Sequence, residues 1–131
     1  MRYNRKDMYN DYSDQCIPYL YNTIFNRDVK ASFTWGCGDT TTLYFNFEFD
    51  EWDANPTWDN KTITISISNF RYEEIYSVEV NGAENVAVYI DAETSKLFGR
   101  GIYYCKAVIK DSETGSIQTV IGANDCIIYV R

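Results

Sequence analysis

Residues 42–49 read TLYFNFEF, and the fold turns on this stretch. Leu43, Phe45, Phe47 and Phe49 take one side of an extended chain; Thr42, Tyr44, Asn46 and Glu48 take the other. Successive side chains of a strand point to opposite faces, so the stretch predicts a half-buried strand with an aromatic inner face. The same period of two continues downstream. Ile63, Ile65 and Ile67 alternate with Thr62, Thr64, Ser66 and Ser68. Val78 and Val80, then Val86, Val88 and Ile90, flank Asn81-Gly82, a dipeptide that favours a hairpin. Tyr103, Cys105, Ala107 and Ile109 share one face of a further strand, Asp111 to Gly115 reads as its hairpin loop, and Ile117 to Ile121 runs back. Cys126 to Val130 supplies a last strand.

Upstream, Phe33 and Trp35 open the pattern, and Gly36-Cys37-Gly38-Asp39 is a turn signal. The one helical hint is Asp91 to Phe98, where Asp91 would cap a single turn ending near Gly99. Seven to eight short strands separated by turns predict an all-β sandwich over residues 31–131.

Residues 1–30 are of another kind. They hold five of the twelve tyrosines, and neither a period of two nor one of 3.6 persists there. Ile17, Leu20, Tyr21, Ile24 and Phe25 form a short apolar patch that would suit a helical turn or two after Pro18. This leader carries five Lys/Arg and four Asp/Glu, a net of +1; residues 31–131 carry seven and fifteen, a net of −8. Two readings of the leader stand side by side. It is an extended N-terminal arm that orders on a partner, or a leader strand folded back on its own domain.

Charge and composition exclude several roles. The overall charge of −7 argues against nucleic acid, which calls for a basic stripe. No apolar run approaches the roughly 20 residues of a membrane span. The charged start, Met1 to Lys6, is not followed by the apolar core of a signal peptide, so secretion by that route is not expected.

Catalysis is not expected either. There is no histidine for acid–base work near neutral pH or to activate a cysteine. The carboxylates at Asp50, Glu51 and Asp53 and at Glu73 and Glu74 sit in loops and read as solvated. The run from Asp50 to Asn55 lacks the central glycine and closing glutamate of a calcium loop. Asn60-Lys61-Thr62 matches a glycosylation sequon, a pattern common by chance. Cys16, Cys37, Cys105 and Cys126 have no zinc-type spacing and read as buried thiols in a reducing cytoplasm, with Cys37–Cys105 or Cys105–Cys126 as the pairings open to them in oxidising surroundings. No metal and no cofactor is expected.

Two resemblances refine this picture. Tyr103-Tyr104-Cys105, entered from Gly101, is similar to the second-cysteine strand of immunoglobulin domains, which has a tyrosine two residues before the cysteine. The match departs at the partner: Cys37 lies in a glycine-flanked turn with Trp35 before it rather than after. Immunoglobulin-like sandwich architecture is thereby expected without the usual disulfide.

The second resemblance spans roughly residues 30–131. Gly38-Asp39-Thr40 leads into the aromatic strand, followed by Thr62 to Ser68, Ile90-Asp91-Ala92-Glu93-Thr94 through Leu97, Gly101 to Tyr104, Gln118 to Gly122, and Tyr129-Val130-Arg131. This layout resembles the immunoglobulin-like domain at the N-terminus of phage baseplate upper proteins and related virion proteins. In that family the domain begins a longer chain, whereas here it is preceded by the leader. The resemblance implies a non-enzymatic structural or adaptor protein of a bacteriophage virion, made in the host bacterial cytoplasm and present in many copies. An accessory capsid protein, for decoration or head-fibre anchoring, is the form expected, with a tail or baseplate adaptor as the alternative. Its partners would be other capsid or tail proteins, with Tyr3, Tyr9, Tyr12, Tyr19 and Tyr21 as anchors, since tyrosine offers large contact area at low entropy cost. The competing reading is a module for surface glycans, with Trp52 and Trp58 stacking on sugar rings.

Overall fold

Alternating apolar side chains leave each strand with one face that must be covered, and two sheets stacked face to face achieve this. The computed structural model describes residues 3–15, 30–49, 56–122 and 125–131. Among them nine strands form two sheets. The strands are β1 (Tyr3–Tyr9), β2 (Phe33–Trp35), β3 (Thr41–Phe49), β4 (Lys61–Asn69), β5 (Glu74–Asn81), β6 (Asn85–Ile90), β7 (Gly101–Asp111), β8 (Ile117–Ile121) and β9 (Ile127–Val130); a four-residue helix, α1 (Ala92–Ser95), precedes β7. The smaller sheet has the order β1-β3-β6, and the larger β2-β9-β7-β4-β5 with β8 also on β7. The protein is an all-β sandwich of immunoglobulin-like type, to which the body contributes eight strands and the leader a ninth.

The inner faces are those the alternation marked. Leu43 stands opposite Val88 and Phe45 opposite Val86 in the smaller sheet. Ile63 faces Ile109, Ile65 faces Ala107 and Ile67 faces Cys105 in the larger. All of these side chains are buried. Phe33 packs its ring edge-on against Phe45 with 5.2 Å between centroids, joining the two layers, and Trp35 does the same against Phe98 at 5.7 Å.

Three local devices position the chain. The Asp91 carboxylate accepts the Thr94 amide at 2.7 Å and caps α1, as its sequence position suggests. Those hydrogen bonds hold the Asp91 carboxyl below its ordinary value. The Tyr103 hydroxyl donates to the Gly99 carbonyl at 2.8 Å. That bond, two residues before Cys105, is the tyrosine corner of immunoglobulin-like sandwiches. Finally, β9 runs parallel to β2 and antiparallel to β7, so it stitches the start of the body to its end.

The pairing at Asn81-Gly82 differs from expectation. β5 belongs to the larger sheet and pairs with β4, while β6 belongs to the smaller sheet and pairs with β3. The dipeptide is therefore a crossing between layers and not a hairpin. Its glycine is needed for space: a Cβ on Gly82 would stand 2.8 Å from Trp58 Cε3 and 3.0 Å from the Lys61 carbonyl oxygen. The Gly82 amide donates to that carbonyl at 2.8 Å, which fixes the crossing.

The described part of the leader follows the second of its two readings. β1 pairs antiparallel with β3 from Tyr3↔Phe49 to Tyr9↔Tyr44, with a register shift between Arg5 and Asp7. Asn10 then enters the core, its Nδ2 donating to the Thr34 carbonyl and to Thr41 Oγ1 at 2.8 and 3.1 Å. The turn after it closes through Ser13, whose hydroxyl donates to the Ser32 carbonyl at 2.6 Å. The apolar patch from Ile17 to Phe25 lies outside the described residues.

Candidate functional site

Pairing β1 to β3 to β6 builds an outer face as well as an inner one. Its side chains are the second set in the alternation: Tyr9 from β1, Tyr44 and Asn46 from β3, and Asn85, Ala87 and Tyr89 from β6. Cross-strand register places Tyr9, Tyr44 and Ala87 in one row, Thr42 beside Tyr89 above it, and Asn46 beside Asn85 below it. Because Ala87 is small, the row ends in a hollow of about 620 Å³, lined by Tyr9, Tyr44, Asn46, Asn85 and Ala87 together with Phe45 and Val86.

Tyr9 and Tyr44 stack with ring centroids 5.1 Å apart and planes 21° from parallel. They remain 49% and 39% exposed, and Tyr89 is 62% exposed, so the face offers a broad aromatic surface to solvent. Asn46 Nδ2 donates to Asn85 Oδ1 at 2.6 Å. The Asn46 Oδ1 is buried and has no hydrogen-bond partner among the described residues. The chemistry available is aromatic contact beside an amide pair. Among the described residues that line the hollow there is neither a carboxylate nor a thiol.

The residues proposed from sequence divide as follows. Tyr9 is part of this face. Tyr3 opens β1, its backbone paired with Phe49 at the other end of the strand. Tyr12 lies in the turn after β1, where its ring carries the Arg131 guanidinium at 4.8 Å from the centroid. Tyr19, Tyr21 and Trp52 lie outside the described residues, as does the carboxylate run from Asp50 to Asn55. Trp58 is half-buried, 4.7 Å from Phe49 between ring centroids and close against Gly82, so it caps one end of the sandwich and does not stand free for stacking. Among the described residues no cluster of three or more potential metal ligands occurs.

Tyr44, Tyr89, Asn46 and Asn85 were not singled out by sequence reasoning. The signal was present: on an outward strand face in an acidic domain, tyrosines in Thr42–Glu48 and Asn85–Ile90 stand where charged side chains are more usual. A second aromatic surface was also missed. Phe70 and Tyr72 are exposed at the β4–β5 turn, Arg71 leans over the Phe70 ring at 5.4 Å, and Tyr72 stacks on Tyr104 at 5.3 Å. Tyr72 holds a positive φ of 63°, a conformation uncommon for an aromatic residue.

No family model and no curated protein matches the chain. Among solved structures, one titled as the crystal structure of the C-terminal domain of wzt is similar, with 14% sequence identity and a TM-score of 0.45. The match covers 76% of this chain and 62% of that one, so the chain spans less than two thirds of its length.

Proposed function

We propose that this chain is a non-enzymatic structural or adaptor protein of a bacteriophage virion, an accessory capsid protein in the first instance, that holds neighbouring virion proteins through the outer face of its smaller sheet. The observation that carries this reading is the solvent-facing stack of Tyr9 on Tyr44 with Tyr89 beside it. Aromatic residues of this kind are the common anchors of protein interfaces. The resemblance of residues 30–131 to phage baseplate upper domains supports the same assignment, with a tail or baseplate adaptor as the alternative placement. In a repeated lattice each contact can be weak, because many copies act together.

The test is mass spectrometry of purified virions, with copy number measured against the major capsid protein. A stoichiometric presence is expected. Absence from washed particles, with the protein found only in the lysate, would remove the assignment.

A second reading is favoured by the amide pair of Asn46 and Asn85 beside the tyrosines of the hollow. A saccharide presents hydroxyl donors and an apolar C–H face, which an amide acceptor and a tyrosine face complement. Titrating an oligosaccharide panel while following the amide resonances of Asn46 and Tyr44 decides between them. No shift with any sugar would leave the protein-contact reading alone.

A further inference from the structure

The core face of the larger sheet carries two thiols side by side. The β7–β9 register, Tyr103↔Ile128 and Tyr104↔Ile127, continues one step to set Cys105 opposite Cys126. The Cys105 amide donates to the Cys126 carbonyl at 3.0 Å, one of the two bonds of a hydrogen-bonded antiparallel position, one step past the last paired residue of β9. Residues opposed at such a position stand about 5.5 Å apart at Cα. Disulfides accept Cα separations of about 4.4–6.8 Å, so the spacing falls inside their range. Both side chains point inward, Cys105 in phase with Tyr103 and Ala107 and Cys126 in phase with Ile128 and Val130, and both are fully buried.

A hydrogen bond with Cys126, followed by burial, pushes the Cys105 thiol well above its ordinary value. Cys37 is occupied elsewhere: its amide binds the Arg131 carbonyl at the opposite end of β9, and its thiol donates to the Phe98 carbonyl at 3.2 Å. Cys37, Cys105 and Cys126 are free thiols in this structure.

We infer that Cys105 and Cys126 are a modification site, closing to an intramolecular disulfide when the chain folds, or opens locally at β9, in the presence of a small-molecule disulfide. One cysteine gives its proton to solvent, and the thiolate attacks a sulfur of the oxidant, releasing one small thiolate and leaving a mixed disulfide. The second cysteine then deprotonates and displaces the other small thiolate. Two S–H bonds are lost and one S–S bond forms. The two electrons leave the protein with the small thiols, which take up the two protons. Since neither sulfur reaches solvent in the closed fold, the exchange runs during folding or through an opened form and is slow on the folded protein. The cross-link ties β9 to β7 across a loop that contains β8, and β9 is the strand that holds β2.

The experiment refolds the full chain from denaturant in a mixture of reduced and oxidised glutathione. The intact mass is expected to fall by two hydrogen atoms. A non-reducing digest should hold one peptide joining residue 105 to residue 126, and the urea midpoint should rise and return on reduction. Cys37→Ser should leave the cross-link in place, whereas Cys126→Ala should abolish it. Mapping on the unmodified sequence decides the matter even if that variant fails to fold. Complete alkylation of Cys105 and Cys126 after oxidative refolding would overturn the inference, and so would a cross-link from either residue to another cysteine.

Discussion

Asn10 and Thr34 exchange two hydrogen bonds, Asn10 Nδ2 donating to the Thr34 carbonyl at 2.8 Å and the Thr34 amide donating to Asn10 Oδ1 at 3.3 Å. The side-chain amide thus pairs with β2 as a peptide group of a neighbouring strand would. It sits at the end of β1, so one residue of the smaller sheet closes the free edge of β2 in the larger.

Replacing Asn10 with alanine leaves the Thr34 amide and carbonyl buried without partners. A loss of about 1–3 kcal/mol is expected, measured as a lowered urea midpoint. Asn10→Asp should also destabilise, because it keeps the acceptor and removes the donor.

Ala87 sets the depth of the hollow on the outer face. Ala87→Leu fills it from an exposed position, so stability should change by no more than about 0.5 kcal/mol. Incorporation into particles, measured by mass spectrometry of virions, should fall for Ala87→Leu and for Tyr44→Ser. Normal incorporation of both would move the contact surface elsewhere, and the Phe70–Tyr72 turn would be the next to test.

Gly82→Ala places a methyl group against Trp58 and the Lys61 carbonyl. Over-packing of this kind costs about 1–3 kcal/mol. Tryptophan emission should report the displacement of Trp58 before the chain unfolds.

Stability should decline as pH rises above about 9. Burial raises the Tyr103 and Tyr76 hydroxyls above their ordinary value, and contact with Cys126 raises the Cys105 thiol. Each group therefore stays protonated in the fold at a pH where the unfolded chain has ionised. The folded state binds more protons there, and its stability is present below the unfolded value and lost as pH climbs through the folded one. The Asp91 carboxyl has the opposite sign: its lowered value means support for α1 that is lost only as pH falls through the acid range. Urea midpoints across the alkaline range, with Tyr76→Phe and Tyr103→Phe flattening the slope, check the first statement; Asp91→Asn, insensitive to acid at the cap, checks the second.

Truncation separates an ornamental leader from an integral one. Removing residues 1–15 strips the pairing partner from β3 between Tyr44 and Phe49 and takes Asn10 from the core. The shortened chain is expected to aggregate or melt well below the parent in a thermal scan. A soluble domain with an unchanged midpoint would show that β1 adds nothing to the fold.

Strand positions were legible because a buried face imposes a period of two, as in Leu43–Phe45–Phe47 and Ile63–Ile65–Ile67. The tyrosine at position 103 was legible because its spacing to Cys105 follows from the corner geometry. The layer to which each strand belongs was not legible. Asn81-Gly82 looks the same whether the chain turns back or crosses over, and only the pairing of β5 with β4 and of β6 with β3, strands distant in sequence, distinguishes the two. For β1 the choice between a free arm and a strand folded back stayed open for a different reason. Arg5, Lys6 and Asp7 are the charged residues that edge strands tolerate, and the shift between Arg5 and Asp7 breaks the period that would have revealed the strand. The outer-face site was hidden because its members come from three strands, and only the register brings Tyr9, Tyr44 and Ala87 into one row.

The parallel pairing of β2 with β9 also governs the order of events as the protein is made. Phe33 meets Ile128, 95 positions further along the chain, so the larger sheet cannot close until residues 127–130 have left the ribosome. Until then the inner face of β2, with Phe33 and Trp35, lacks its neighbour. Pairings of such long sequence separation fold slowly. A nascent chain paused before β9 would present that apolar edge to other copies of itself, a route to aggregation that closes once β9 pairs.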